Sequence, residues 1–141
     1  APDSSMNASS EKAPPELPRP LRILIVEDEA LEAFLLKNCF TLEGYQVCEM
    51  ASRGSEAIRI ATQDPPDIII MDNGLAGNMN GLETARKIRA FSTVPIIFLT
   101  GYVNDDIKNQ VRQISPATAL VKPARIPEVL AQVKTLLNQQ A

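Results

Sequence analysis

Four polar groups stand directly after apolar runs in this chain of 141 residues, and together they could perform phosphate or hard-metal chemistry. The run 23–26 leads into Glu27-Asp28-Glu29, Ile68-Ile69-Ile70-Met71 into Asp72, the apolar stretch 94–99 into Thr100, and Ala119-Leu120-Val121 into Lys122-Pro123. Clustered carboxylates at a partly buried site repel one another and raise each other's pKa values, and a divalent cation relieves that repulsion. Magnesium suits such a site, because it takes a few carboxylate and carbonyl oxygens and keeps several waters. A lysine placed directly after a buried run and held by a proline points inward, where its ammonium can pair with Asp72 and with a phosphoryl group. Singly, each feature has a plainer use. The acid triplet suits the start of a helix, Asp72 suits a strand-to-loop cap, and Thr100 is an ordinary terminal hydroxyl. Their joint placement is what points to chemistry.

Composition removes most alternatives. The chain contains no histidine, which excludes a Ser-His-Asp triad, a Cys-His pair and a His-ligated zinc site. It also excludes a phosphohistidine of the chain's own. The net charge of −3 argues against a domain that binds a nucleic-acid backbone, which would need a basic face. The nearest approach to a membrane span, Val94–Val103, falls short of the ~20 residues required, and residues 1–20 show no apolar signal-peptide core. The two cysteines, Cys39 and Cys48, lie in apolar patterns and read as core thiols rather than a disulfide scaffold. A cytoplasmic domain is expected.

The elements that must position these groups follow from two alternating periods. Residues 1–20 hold five of the eleven prolines and read as a flexible tail, with Met6 a natural start and 1–5 a cloning remnant. From Leu21 onward, strand-like runs at Leu21–Val26, Tyr45–Met50, Asp67–Met71, Pro95–Leu99 and Thr118–Val121 alternate with helical patterns. The helical faces are Leu31, Phe34, Leu35, Cys39 and Leu42; then Ala57, Ile58 and Ala61; then Leu82, Ala85 and Ile88. Ile107, Val111 and Ile114 follow, and last Ile126, Val129, Leu130, Val133 and Leu137. Gly44 closes the first helix, Asn104-Asp105 caps the fourth, and Pro127 suits the first turn of the fifth. Glu83 and Lys87 are spaced as a surface pair, and Arg53, Arg59, Arg86 and Arg89 read as solvated helix faces. Strands and helices in strict alternation predict an α/β fold, a doubly wound five-stranded parallel sheet of flavodoxin-like order 2-1-3-4-5 with five helices. In such a sheet ligands bind beyond the carboxyl ends of the strands, where Glu27, Asp28, Asp72, Thr100 and Lys122 all fall.

At this level of detail the chain resembles the receiver domain of two-component response regulators, over a unit spanning 21–139. The carriers are ILIVEDE at 23–29, IIIMDNGL at 68–75, NGLETARKIR at 80–89, VPIIFLTGY at 94–102 and LVKP at 120–123. Asp72 stands 44 residues after Asp28 and Lys122 stands 22 after Thr100, both as in the family. The resemblance implies that Asp72 is the phospho-acceptor. It makes Asp28 the direct magnesium ligand, Glu27 its companion through water, and the Gly74 carbonyl a further ligand. Thr100 and Lys122 then bind the transferred oxygens, and the Lys122–Pro123 bond is expected to be cis. The implied donor is a sensor histidine kinase or phosphotransfer protein, and the output passes through a changed protein-binding face to a downstream protein partner. The chain departs from the pattern in three places. Ala119 stands where the family usually has an aromatic switch residue, which leaves Tyr102 as the ring nearest the switch region. Loop 73–81 (NGLAGNMNG) lacks the common proline and is one residue longer than usual, and Ala124 replaces a frequent aromatic.

Other readings fit less well. A magnesium phosphatase with an aspartyl intermediate would want a D-x-D arrangement after the first strand, where Asp28-Glu29-Ala30 stands. An FMN carrier would want a glycine- and hydroxyl-rich loop there instead of three acids. A docking domain that works without phosphate stays open, as does the question whether the unit acts alone or within a longer protein.

Overall fold

A computed structural model describes residues 19–75 and 77–139; the proposed tail, apart from its last two residues, lies outside them. Each apolar run becomes a strand and each 3.6-residue pattern a helix. In order they are β1 (Arg22–Val26), α1 (Ala30–Leu42), β2 (Gln46–Val47), α2 (Gly54–Gln63), β3 (Ile68–Asp72), α3 (Gly81–Arg89), β4 (Ile96–Thr100), α4 (Asp105–Gln113), β5 (Ala117–Val121) and α5 (Ile126–Gln139). All the strand pairs are parallel and the order is β2-β1-β3-β4-β5, as the alternation requires. The winding reverses between β1 and β3, which puts a crevice above their carboxyl ends.

Side chains alternate across the sheet with the two-residue period of a strand. Leu24, Val26, Ile69, Met71, Ile96 and Phe98 face α2, α3 and α4. Ile23, Ile25, Ile68, Ile70, Ile97 and Leu99 face α1 and α5. β1, β3 and β4 are therefore buried on both faces, which explains their unbroken aliphatic runs. β2 is shorter than expected: it is an edge strand, and Glu49 and Met50 are exposed. The chain still follows β1, through the Cys48 N–H to the Ile23 carbonyl (2.8 Å) and the Ala51 N–H to the Ile25 carbonyl (3.0 Å).

α1 corrects one expectation. Its buried residues are Ala33, Leu36 and Phe40, whereas Leu31 (65%), Phe34 (55%), Leu35 (51%) and Leu42 (86%) are exposed. The helix is apolar on nearly every side, so its periodicity offers two equivalent stripes and only packing decides between them. The stripe that wins carries Phe40, which stacks edge-on against Tyr45 at 5.8 Å between ring centroids. The other helical faces fall largely as expected, with Ile60 and Leu136 added to the core.

The helix ends follow local chemistry. Asn80 and Glu83 form a reciprocal capping box at α3, so Glu83 does not serve as a surface partner for Lys87. The Asn104 side chain caps α4 through the Ile107 N–H at 2.8 Å. Arg89 is not a solvated residue: its guanidinium donates to the carbonyls of Ile114, Ser92, Val94 and Pro116 and ties the end of α3 to the α3–β4 connection and to the α4–β5 turn. Both cysteines are half-buried rather than core. Cys48 accepts from Arg22 Nη2 at 3.0 Å, and burial pushes its thiol pKa up, which keeps it inert.

Gly81 marks the tightest approach beside the crevice. A Cβ there would stand 2.6 Å from the Asp72 carbonyl oxygen and 2.9 Å from Asn73 Cα, whereas one at Gly101 would meet nothing within 4 Å. Gly81→Ala is expected to cost about 1–3 kcal/mol in urea unfolding through overpacking. Gly101→Ala should stay within about 0.5 kcal/mol.

Candidate functional site

The carboxyl ends of β1, β3, β4 and β5 deliver the site. β1 runs straight into Glu27, and Asp72 is the last residue of β3, both 5% exposed. Register pairs Val26 with Met71 and Asp72 with Leu99, so the two acids and Thr100 emerge at one level. Thr100 ends β4, and its carbonyl accepts the Lys122 N–H at 2.7 Å, which fixes the root of the lysine. The Lys122–Pro123 bond is cis as expected; Ser115–Pro116 is cis as well.

Three carboxylates converge here. Oxygens of Glu27, Asp28 and Asp72 all lie within 4.8 Å of one another, with Asp28 exposed and the other two buried. The Lys122 ammonium sits 2.9 Å from Asp72 Oδ1 and 3.9 Å from Glu27 Oε1. It also reaches Glu32 Oε1 on α1 at 3.7 Å. Asp72 Oδ1 further accepts the Gly74 N–H at 3.1 Å. Thr100 Oγ1 donates to the Tyr102 carbonyl at 3.2 Å and accepts the Tyr102 N–H at 3.4 Å, while the Tyr102 ring is exposed and Ala119 half-buried.

Burial raises the Glu27 pKa to about 8; the accepted Glu29 N–H pulls the other way, and the Asp72 charge adds to the rise. Desolvation thus outranks the mutual repulsion that the clustering of acids alone implied. For Lys122, burial lowers the pKa, but the hydrogen bond and charge of Asp72, with Glu27 and Glu32, outweigh it and raise it. Glu27 Oε2 accepts the Glu29 N–H at 3.0 Å, while Oε1 is buried without a hydrogen-bond partner among the described residues. A buried, orphaned carboxylate oxygen beside two further acids is the donor set of a hard cation, so the cluster fits a metal ion.

Two contributors are not apparent from the sequence. Asn73 bridges the site to α3: its side chain accepts the Leu82 N–H at 3.0 Å and its carbonyl the Gly81 N–H at 3.1 Å. Glu32 is a solvated first-turn acid by its pattern, and only the fold brings it to Lys122.

The Glu27 shift has a definite sign in stability. The folded pKa lies above the ordinary 4.5, so between those values the native state holds a proton that the unfolded chain has lost. Stability therefore falls as pH rises toward 8. In chelator, the urea midpoint of Glu27→Gln minus that of the wild type should grow from about pH 5 to about pH 8.5. A difference independent of pH would refute the assignment.

The family model for the response regulator receiver domain matches residues 23–134. The transcriptional regulatory protein PdtaR of Mycobacterium tuberculosis is 31% identical over 120 residues, 85% of this chain and 58% of that protein. The aerobic respiration control protein ArcA of Escherichia coli is 37% identical over 117 residues, 83% and 48% of the two chains. The chain thus spans about half the length of the curated relatives it matches. Among solved structures, the signal receiver domain of a modulated diguanylate cyclase from Desulfovibrio desulfuricans matches with a TM-score of 0.77 at 30% identity, covering 86% of this chain and 96% of that one. A CheY-like receiver from Methanospirillum hungatei, 24% identical with a TM-score of 0.80 over 86% and 97%, shares the fold. Among the described residues no helix is long and apolar enough to cross a membrane. With its 2-1-3-4-5 sheet and its acids gathered at the strand ends, the chain belongs to the response regulator receiver domain family.

Proposed function

We propose that residues 21–139 form a phosphoryl-accepting switch in which Asp72 takes a phosphoryl group from a histidine kinase or phosphotransfer protein. The observation that carries this reading is the Lys122–Asp72 contact of 2.9 Å inside a cluster of three carboxylates. The Asp72 carboxylate, buried and oriented by Lys122 and the Gly74 N–H, attacks phosphorus in line. The new bond is Asp72 O–P, the bond broken is P–N of the phosphohistidine, and its electron pair leaves on the imidazole nitrogen. Lys122 moves from the carboxylate to a transferred oxygen, and the Thr100 hydroxyl donates to another, so both groups act where charge develops. Glu27, Asp28, Asp72 and the Gly74 carbonyl would hold magnesium, which neutralises phosphoryl charge when bound. Water later hydrolyses the acyl phosphate and restores the carboxylate.

Output follows from the same hydroxyl. Thr100 now bonds the Tyr102 backbone, so a phosphoryl group that captures the hydroxyl frees that segment. The freed segment leads directly into α4, and with Ala119 opposite there is no bulky ring on β5 to resist its movement. The changed face would be α4, β5 and α5, meeting a downstream protein. The bare Leu31, Phe34 and Leu35 on α1 support a protein as donor, because exposed apolar clusters of this kind mark contact surfaces. Such chemistry belongs in the cytoplasm, where histidine kinases present their phosphoryl groups.

Acetyl phosphate with magnesium is expected to add about 80 Da, one phosphoryl group, to the wild-type protein. Asp72→Asn or chelation of the metal should abolish the gain. Thr100→Ala and Lys122→Met should slow it by about ten- to a hundredfold, as loss of a donor at a developing charge does. A gain of equal rate in Asp72→Asn would overturn the reading.

A further inference from the structure

Glu32 has no part in the mechanism above, yet it faces the ammonium on which that mechanism turns. Lys122 Nζ is shared among Asp72 at 2.9 Å, Glu32 at 3.7 Å and Glu27 at 3.9 Å. Of the three acids, only Glu32 is open to solvent, its side chain 51% exposed against 6% for Asp72 and 2% for Glu27. Its orientation has a local cause. Glu32 is the third residue of α1, the position from which an acid ordinarily turns back to cap its own helix. Glu83 does so at α3, where its carboxylate accepts the Asn80 N–H at 2.9 Å. At α1 the equivalent N–H, that of Glu29, is already bonded to Glu27 Oε2 at 3.0 Å. Glu32 is left to reach across the crevice mouth to Lys122.

An exposed ion pair of this sort contributes little to stability. Its consequence lies in what it does to an arriving anion. A phosphoryl group must take Lys122 partly from Glu32 and must also pass a carboxylate that repels it, at a mouth where Asp28 and Glu29 are negative as well. We propose that Glu32 is a specificity-determining residue that weakens the capture of small free phosphate anions, including small phosphodonors, at the Asp72 site. This rests on the acceptor reading for its purpose, although the anion binding it concerns does not require phosphoryl transfer. A phosphoryl group carried on a protein is brought to the site by that protein's own contacts, so the penalty falls mainly on small anions.

Inorganic phosphate is the probe, titrated in magnesium buffer of low ionic strength and followed by the backbone amide signals of Thr100, Gly101 and Lys122. Removing one charge a few ångströms from the anion at a partly solvated mouth should tighten phosphate about fivefold in Glu32→Gln. The gain should shrink below about twofold in half-molar salt. Glu32→Asp, which keeps the charge, should stay near the wild type, and Glu29→Gln, a neighbouring acid that does not reach Lys122, should change binding less than about twofold. With acetyl phosphate, Glu32→Gln should lower the half-saturating concentration by the same factor and leave the maximal rate unaltered. Equal tightening in Glu32→Gln and Glu29→Gln would overturn the proposal, as would weaker binding in Glu32→Gln or no phosphate response in either protein. Failure of acetyl phosphate to label Asp72, with the phosphate result as expected, would remove the acceptor reading and leave the role of Glu32 in anion binding.

Discussion

Among the described residues a single ammonium answers three carboxylates at the carboxyl edge of the sheet, and the rest of the structure is arranged around that imbalance. Lys122 stands within 4 Å of Asp72, Glu32 and Glu27, while Asp28 adds a further negative charge within reach of the buried pair. Burial makes the imbalance matter. In open water these charges would interact weakly, but two of the acids are removed from it, so Glu27 resists ionisation. A site in this condition has affinity for whatever supplies positive charge, and it holds the Asp72 carboxylate in direct contact with the Lys122 ammonium.

The sheet is what brings this convergence about. β1 and β3 can be adjacent only because the chain winds one way to β2 and the other way to β3, and parallel pairing then puts their carboxyl ends at the same height. Aliphatic runs buried on both faces keep those ends from shifting. Gly81 lets α3 approach the Asp72 backbone, and Asn73 ties the following loop to that helix. Stability and chemistry thus meet in the same few residues, since the strands that are hardest to disturb carry the groups that must be held still.

Much of this was legible in the residues. Alternating periods of two and 3.6 give the order of elements, and a polar group at the ends of four of the five strands marks the crevice. Asp72 and Lys122 could be placed because a charged group straight after a buried strand has few other places to go. The residues alone do not decide between two equivalent patterns, nor do they show a contact that depends on packing between distant segments. On α1 both stripes are apolar, and the face that the spacing picks out through Leu31, Phe34 and Leu35 stands in solvent. Arg89 looks like any surface arginine until four carbonyls from two connecting segments close around it. Glu32 carries a helix-start signal, but whether its capping partner is free depends on Glu27, five residues earlier and just past the end of β1.

Fluorine NMR of the protein titrated with beryllium fluoride, a mimic of the phosphoryl group, tests most directly whether this charge arrangement exists to hold such a group on Asp72. Protein-bound fluorine signals are expected in the wild type with magnesium, and they should vanish in chelator and in Asp72→Asn. Bound signals that persist in Asp72→Asn, or none in the wild type with magnesium, would contradict the role given to the cluster.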